Sequence, residues 1–231
     1  DVIDAGTGTD TLVVGGNGVL GGFAVDLSST TDQLTQYGGV ANAAVQKGFE
    51  NVNLGALTGS YGSDVTGSDG ANTITVNDQN SNVDAGKGND TIYGGEGIDV
   101  LIGGKGDDTF IIRTVKDFFS ATGGTSSGED TITGGDGTDV ISLDATAGAL
   151  EIVVGDDWTD GKISGISKIT ANGAQASAIS ITTNAAFTAD TGITEIDLSA
   201  DTGTSGSNVI DVSATTGSGA WTLTGSEHID T

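Results

Sequence analysis

The chain of 231 residues lacks cysteine, proline and methionine, and it has few basic side chains. Without cysteine it has no disulfide, no thiolate metal site and no cysteine nucleophile. Seven basic residues stand against 32 acidic ones, giving a formal net charge of -25. Nucleic acids and anionic membranes are bound through basic patches, so we expect no nucleic-acid partner. No apolar run approaches the roughly 20 residues of a membrane helix, and we expect no membrane insertion.

The strong acidity is combined with the composition of a folded chain. Apolar residues make up 35 % of the sequence, and Val, Ile and Leu recur at short, regular spacings. Disordered acidic chains lack such residues and are rich in proline. Because so many negative charges repel each other in a compact state, cation binding is the first functional hypothesis.

A unit of nine residues repeats along the chain. It contains glycines, an aspartate in its sixth place and an apolar residue in its eighth place. Three consecutive copies are AGKGNDTIY, GGEGIDVLI and GGKGDDTFI in residues 85–111, and the same register recurs in 67–84, 125–142 and 5–13. The eighth place is always apolar: Leu12, Ile74, Val83, Ile92, Leu101, Phe110, Ile132 and Ile141. Such periodicity predicts a solenoid, in which each unit buries its apolar side chain by stacking on its neighbours.

A second, looser phrase occurs outside these units, as GFENVNL, GISKITA, GITEIDL and GSEHIDT, which start at positions 48, 165, 192 and 225. Alternating stretches such as GFAVDLS and SAISITT, which start at positions 22 and 177, surround it and predict short strands. Residues 29–47 break this pattern and are interpreted as either a short helix or an excursion from the solenoid. Residues 112–124 separate two runs of units and are interpreted as a loop that bulges out.

These patterns divide the chain into three segments. We expect an N-terminal β-solenoid segment over 1–66, the regular repeats over 67–142, and a Thr/Ser/Ala-rich β-solenoid segment over 143–231. Both ends of the sequence fall within a unit, so we expect the chain to be a piece of a longer protein.

Glycine and aspartate at this spacing suit a cation site. In a tight turn, glycine permits positive φ and lets carbonyl groups point inward, while one aspartate per turn adds a charged oxygen. Stacked turns would form a column of oxygen atoms, the environment that Ca²⁺ takes with six to eight ligands. For an isolated motif the alternative is a plain turn, in which the aspartate caps backbone N–H groups. Three consecutive copies favour calcium.

GGEGIDVLI and GGKGDDTFI also match the signature G-G-x-G-x-D-x-U-x, and in this the chain resembles the RTX (repeats-in-toxin) family of calcium-binding nonapeptide repeats. By composition, the remainder resembles the flanks of large RTX surface-layer and cell-surface proteins. The resemblance implies an all-β fold, a parallel β-roll continuous with an irregular β-solenoid. In such a roll two units form one coil, so that each unit stacks on the next but one.

The resemblance also implies which residues bind calcium. One turn contributes the carbonyls of its second and fourth places and its aspartate, and the other contributes the carbonyls of its first and third places and its aspartate. The first implied set is Gly86, Gly88 and Asp90 with Gly103, Lys105 and Asp108. If residues 112–124 bulge out, two more sets follow: Gly95, Gly97 and Asp99 with Thr125, Ser127 and Asp130, and Gly104, Gly106 and Asp108 with Gly134, Asp136 and Asp139.

Some units depart from this pattern. Asn72, Ser81 and Asn208 stand in place of the aspartate, which should weaken or abolish the sites there. Asp10 has a good turn, but the unit after it is shifted by one residue and lacks the acid. We therefore expect a metal site at Asp10 to need a partner such as a unit before Asp1.

Catalytic motifs are not evident: the sequence has no Ser/His/Asp order, phosphate loop or zinc-ligand spacing, and we predict no enzyme. The resemblance implies a secreted or cell-surface location, type I secretion and several structural Ca²⁺ ions, roughly four to eight. The favoured function is a structural protein of a surface layer, filament or extracellular matrix that folds and self-assembles with calcium. Its partners would be copies of itself, with cell-surface polysaccharide as a further candidate. The alternative is a spacer or export module of a secreted RTX adhesin, toxin or hydrolase.

Overall fold

The computed structural model describes residues 2–19, 21–114, 130–146, 148–153, 162–183, 187, 191–203, 207–213 and 220–226. Within these ranges the chain forms 24 short strands, most of them three or four residues long. In each nonapeptide the strand is the triplet that follows the sixth place, where a β-favouring apolar residue lies between two others. The strands belong to two large and three small sheets.

One large sheet has nine strands, all parallel to their neighbours. In spatial order they are β2 (Thr11–Val13), β8 (Asn51–Asn53), β11 (Thr73–Thr75), β13 (Thr91–Tyr93), β15 (Thr109–Ile112), β17 (Asp139–Leu143), β20 (Ile166–Ala171), β22 (Glu195–Asp197) and β24 (Thr222–Thr224). The nonapeptide strands and the strands of the second phrase thus form one sheet.

The other large sheet has eight strands. In spatial order they are β19 (Ile163–Ser164), β16 (Thr131–Asp136), β14 (Val100–Lys105), β12 (Asn82–Asp84), β10 (Ser63–Thr66), β4 (Phe23–Asp26), β5 (Leu34–Tyr37) and β6 (Val40–Ala41). The small sheets are β18 (Leu150–Val153), β21 (Ile179–Thr182) and β23 (Val209–Asp211); β1 (Val2–Asp4) with β7 (Val45–Lys47); and β3 (Gly16–Val19) with β9 (Leu57–Gly59).

Two nonapeptides form one coil of the roll. Strand β13 pairs with β15 at a separation of 18 residues, so each unit stacks on the next but one. At the insertion the separation becomes 31 residues, and Val100 pairs with Thr131. The roll therefore resumes in register after the insertion. Ile112, the first residue of the predicted loop, belongs to β15 and is buried, while 115–129 lie outside the described residues.

The core lies between the two large sheets. The middle residue of each triplet points inward, and in the repeats this residue is the eighth-place apolar side chain. These side chains are at most 7 % exposed: Leu12, Ile74, Val83, Ile92, Leu101, Phe110, Ile132 and Ile141. Stacking along the coils joins them in one continuous hydrophobic cluster.

Residues 29–47 form strands and no helix. Strands β5 and β6 make the antiparallel hairpin of the eight-stranded sheet, and β7 then pairs in parallel with β1. The hairpin turn is Gly38–Gly39, and both residues have positive φ, as a two-residue type I′ turn requires. Of the two alternatives for this segment, the helix is wrong, because the glycine pair and the β-favouring residues beside it specify a hairpin.

The expected fold class is confirmed. The described chain is all-β, with parallel sheets stacked as a β-roll that continues into a less regular β-solenoid. The division into segments 1–66, 67–142 and 143–231 stays a prediction. No helix within the described residues is long and apolar enough to cross a membrane.

Candidate metal centre

The sixth-place aspartates line two corners of the roll. Each lies at a corner, next to a strand of one large sheet. The first column, beside the nine-stranded sheet, consists of Asp90, Asp108 and Asp139. The second column, beside the eight-stranded sheet, consists of Asp99 and Asp130. Because the coils stack in register, the aspartates of one corner form a column. Adjacent strands are about 4.8 Å apart, so the carboxylates of neighbouring coils face each other at close range.

In the first column each carboxylate accepts a hydrogen bond from the backbone of the preceding coil. Asn72 N donates to Asp90 Oδ1 at 2.7 Å, and Asp90 N donates to Asp108 Oδ1 at 2.9 Å. Asp108 N donates to Asp139 Oδ1 at 2.8 Å. The ladder fixes one oxygen atom of every carboxylate and continues across the insertion.

The second column repeats this arrangement. Ser81 N donates to Asp99 Oδ1 at 2.7 Å, and Asp99 N donates to Asp130 Oδ1 at 2.7 Å. Gly95, in the turn before Asp99, packs against Asn77 and Asp78 of the preceding turn. The predicted pair of Asp99 and Asp130 is in contact through the hydrogen bond from Asp99 N to Asp130 Oδ1.

Two predicted residues of this column, Thr125 and Ser127, lie outside the described residues. Gly97, in the same turn as Gly95, has positive φ and stacks on Gln79 and Asn80 of the preceding turn.

The second oxygen of the first-column carboxylates has no hydrogen-bond donor within the described part of the chain. This holds for Oδ2 of Asp90, Asp108 and Asp139, each of which is buried. The three residues are at most 1 % exposed. A buried carboxylate oxygen without a donor or cation is costly, so this column fits a bound cation.

Burial also raises the pKa values of these carboxyl groups. Burial, with a smaller contribution from the negative charge of Asp108, raises the pKa of Asp90 to about 7, against the opposing hydrogen bond from Asn72 N. Burial likewise raises the pKa of Asp108 and of Asp139 above the ordinary value for aspartate. Without a cation, the folded roll therefore shifts these groups toward the protonated form.

The glycines of the turns allow the coils to approach closely. Gly104 and Gly106 have positive φ, and a Cβ on either would overlap the carbonyl oxygen of the glycine one coil earlier, Gly86 or Gly88. A Cβ on Gly103 would overlap Oδ2 of its own turn's Asp108 and lie 2.8 Å from Gly134 O. The missing side chains leave a space in which carbonyl and carboxylate oxygens are neighbours.

The predicted carbonyl ligands also lie between stacked turns. Lys105 N donates to Gly86 O at 2.9 Å, and Gly88 N donates to Lys105 O at 2.8 Å. Gly106 N donates to Asp136 O at 2.8 Å. A carbonyl oxygen has two lone pairs, so each of these bonds leaves one for a cation.

Asp10 has a partner inside the chain. Its backbone N–H donates to Glu50 Oε2 at 2.8 Å, because β2 pairs with β8 after the intervening residues leave the coil and return. Asp10 Oδ2 has no hydrogen-bond donor among the described residues. A metal site at Asp10 with a partner such as a unit before Asp1 stays a prediction, and the structure adds that an acid within the chain, Glu50, lies beside Asp10. Sequence reasoning missed Glu50 because the acid lies in the second phrase and outside the nonapeptide register.

Outside the two aspartate columns, a further set of stacked side-chain oxygen atoms was also missed. Asn89 Oδ1 accepts a hydrogen bond from Asp107 N at 3.0 Å, and Asp107 Oδ1 accepts one from Thr138 N at 2.9 Å. Asn80 Oδ1 accepts one from Ile98 N at 3.2 Å at the other corner. The available signal was the fifth place of the unit, where Asn or Asp directly precedes the sixth-place residue.

The donor set is that of a hard cation. Among the described residues no three His, Cys, Asp or Glu side chains converge on one point, so a cation between two turns would be held by paired carboxylates and backbone carbonyls. Oxygen-only sets of this kind suit Ca²⁺. The fold and these paired oxygens together define a calcium-binding parallel β-roll.

The comparison with known families gives the same result. The model of the RTX calcium-binding nonapeptide repeat matches the chain in four copies, over residues 66–101, 84–111 and 125–147. The chain therefore contains RTX repeats and is a calcium-binding repeat protein, with Ca²⁺ in a structural role, and the resemblance of its nonapeptides to the RTX repeat is confirmed. No curated protein sequence matches the chain.

Proposed function

We propose that the chain is a structural segment of a secreted, cell-surface or extracellular protein, which folds with calcium and then associates with copies of itself. The main support is the column of buried carboxylates Asp90, Asp108 and Asp139, whose Oδ2 atoms have no donor in the described chain. When bound, calcium would neutralise these groups and join the oxygens of adjacent coils. RTX repeats are typically structural rather than catalytic and occur in secreted proteins, which supports this assignment.

For the ligands we propose the stacked turns themselves. One site would use Gly86, Gly88 and Asp90 with Gly103, Lys105 and Asp108, and the next would use Gly104, Gly106 and Asp108 with Gly134, Asp136 and Asp139. At the second corner, Gly95, Gly97 and Asp99 would act with Asp130 and with Thr125 and Ser127. Asp10 would act with Glu50. In each case the polypeptide holds the oxygens in place through the ladder of backbone N–H groups.

Calcium would couple folding to location. A chain that cannot neutralise its stacked carboxylates is unfolded or loose in a calcium-poor cytoplasm, and it folds on reaching calcium outside the cell. Within the described residues, β2 and β24 are the end strands of the nine-stranded sheet, and an edge strand can pair with another chain, which supports self-association. Surface polysaccharide stays a candidate partner.

A calcium titration tests this proposal. We would follow far-UV circular dichroism and sedimentation velocity together for the wild type, Asp90→Asn, Asp108→Asn and the control Asp69→Asn. Asp69 makes an exposed ion pair with Lys87 and lies outside the ladder, so its substitution removes the same charge without touching the column. We expect β-structure and large species to appear with calcium, and both to require more calcium only in the two column variants.

Two other outcomes would change the assignment. A chain that folds with calcium but stays monomeric supports the alternative of a spacer or export module of an RTX adhesin, toxin or hydrolase. A chain that is fully folded in chelator and does not respond to calcium contradicts the proposed mechanism, since the aspartates would then only shape turns.

A further inference from the structure

The carboxylate ladder ends at Asn72 on its N-terminal side. Asn72 occupies the sixth place of its unit and is 3 % exposed. Its side-chain oxygen accepts a hydrogen bond from Ser68 N at 2.7 Å, and its side-chain nitrogen donates to Glu50 O at 2.5 Å. Both polar atoms of this side chain thus have partners within the chain.

The second corner ends in the same way at Ser81. Its hydroxyl oxygen accepts a hydrogen bond from Ser63 N at 3.1 Å, and the hydroxyl donates to Gln79 O at 2.8 Å. The hydroxyl links two adjacent coils, as the carboxylates do, but it carries no charge.

On the C-terminal side, among the described residues, the position that pairs with Asp139 is held by Ile166 and not by an acid. Gly134, in the turn before Asp139, packs against the carbonyl of Gly165. Further along, Asn208 is buried, its side-chain oxygen accepts a bond from Ile179 N at 2.9 Å, and its side-chain nitrogen donates to Asp201 Oδ2 at 2.8 Å. Here an amide again occupies the aspartate position of the unit.

Asn72 and Asn208 share one physical feature. In each, the amide N–H donates to an oxygen atom that would otherwise face another oxygen. At these positions an N–H group satisfies the oxygen atom by donating a hydrogen bond, as a cation between two carboxylates would by coordination, and no ligand is needed. Such a bond closes the coil before the roll at Asn72 and a later coil at Asn208, whereas the Oδ2 atoms of Asp90, Asp108 and Asp139 have no donor among the described residues.

The flanking coils also have buried cores of their own. Val52 and Leu54 precede the roll and are at most 1 % exposed. On the other side the completely buried side chains are Ile169, Ile179, Ile181, Ile196 and Leu198. Apolar burial and satisfied polar groups are sufficient to stabilise a solenoid coil.

We propose that calcium orders only the middle of this chain, residues 84–114 and 130–143, between two arms that are folded without calcium. The N-terminal arm is residues 21–75 and the C-terminal arm is residues 162–203. The segment is then a calcium-operated joint: in low calcium it is loose and the arms move independently, and in calcium it stiffens into one rod. Residues 2–13 and the side chain of Glu50 stand outside this inference, because Asp10 and Glu50 are themselves candidate ligands. The inference rests on the proposed calcium-dependent folding.

Hydrogen exchange on the full chain tests the location of the calcium response. Amide protection would be measured by mass spectrometry in chelator and in calcium. We expect peptides from 84–111 and 130–143 to lose protection in chelator, and peptides from 51–75 and 163–183 to keep it. If both arms lose protection together with the roll, the chain is one calcium-dependent unit and the joint is refuted. If the roll itself does not respond, the proposed function fails as well, so the two failures are distinguishable.

A gain of calcium dependence at the boundary provides the second test. Asn72→Asp replaces the amide N–H with an oxygen atom, so the ladder would extend by one turn. We expect isothermal titration calorimetry to show one additional calcium ion per chain, and peptides from 51–75 to become less protected in chelator. Asn53→Asp is the control, because Asn53 is exposed and its substitution adds the same charge outside the column. If Asn72→Asp leaves both calcium stoichiometry and protection unchanged, Asn72 does not set the boundary.

Discussion

At the residue scale, the distinction that matters is between an acid and an amide in the sixth place of the unit. Asp90 and Asn72 occupy the same corner of adjacent coils, and Asn72 N donates to Asp90 Oδ1. The asparagine satisfies its own polar atoms, whereas the aspartate leaves Oδ2 buried without a donor in the described chain. One atom, nitrogen or oxygen, therefore decides whether a coil needs a cation.

The substitution Asp90→Asn should act in opposite directions with and without calcium. In calcium it removes a charged ligand, and we expect the apparent calcium affinity to fall about tenfold or more, or about 1.4 kcal/mol per factor of ten. In chelator it removes one carboxyl group from the buried column, and we expect far-UV circular dichroism to show more residual β-structure than in the wild type. Calorimetry and circular dichroism check the two effects. Unchanged affinity would show that Asp90 is not a ligand.

The metal-free chain should be more stable in mild acid than in base. Folded Asp90 holds its proton up to about pH 7, because burial raises its pKa. In the unfolded chain the carboxyl group releases its proton near a pKa of about 4. The folded state thus binds more protons between these values, and the free energy of unfolding falls as pH rises through this window.

Far-UV circular dichroism in chelator at about pH 5 and about pH 8 measures this effect, with more β-structure expected at the lower pH, where the column is protonated. Asp108 and Asp139 act in the same direction, since their pKa values are also raised. In Asp90→Asn the difference between the two pH values should shrink. A chain that is more stable at the higher pH would contradict the assignment of buried, uncompensated carboxyl groups.

At the element scale, the turns set how closely two coils approach. Glycine is required where the backbone has positive φ and the neighbouring coil leaves no room for a Cβ. Gly106 has positive φ, and a Cβ on it would overlap Gly88 O. A Cβ on Gly70, in the same fourth place of its unit, would have only Ser68 Oγ within 4 Å, at 3.9 Å. The fourth-place glycine is thus required at one coil and replaceable at another.

These two glycines provide a matched pair of substitutions. We expect Gly106→Ala to destabilise the calcium-bound chain by about 1–3 kcal/mol, because the alanine must adopt positive φ and displace a backbone carbonyl. Gly70→Ala should change stability by less than about 0.5 kcal/mol. Thermal or urea unfolding in saturating calcium checks both values. Equal effects would show that the turns tolerate wider spacing than the structure has.

At the scale of the whole molecule, net charge and stacking are coupled. A net charge of -25 opposes a compact state, and the roll concentrates part of it in two columns of acids. Stacking nevertheless buries the eighth-place side chains in one core that extends along the chain. Cation binding neutralises the columns of acids and so allows the coils to stack and bury the core.

Calcium should order the chain where magnesium does not. Mg²⁺ requires near-ideal octahedral geometry and keeps several water molecules, whereas Ca²⁺ accepts six to eight oxygens in irregular arrangements. The oxygens here are fixed by the pitch of the coils and by the ladder. We therefore expect far-UV circular dichroism to report folding in millimolar CaCl₂ and little change in the same concentration of MgCl₂. Equal responses would indicate charge screening instead of coordination.

The sequence by itself determined the repeat, the inward side chains and the stacking of aspartates in columns, because a strict period of nine places equivalent residues at equivalent positions of every unit. The pairing of each unit with the next but one followed from the resemblance to RTX repeats. The sequence also located the insertion, since register resumes at Asp130 and Thr131.

Only the tertiary structure decided what depends on contacts between distant residues. Glu50 became the partner of Asp10 because the chain leaves the roll and returns 40 residues later, and no local pattern specifies that distance. For residues 29–47 the sequence left a short helix or an excursion open, and the structure has the hairpin of β5 and β6, favoured by its glycine turn and by pairing with β4. The contrast between Asn72 and Asp90 likewise needed coordinates, because whether a buried oxygen has a donor depends on the neighbouring coil.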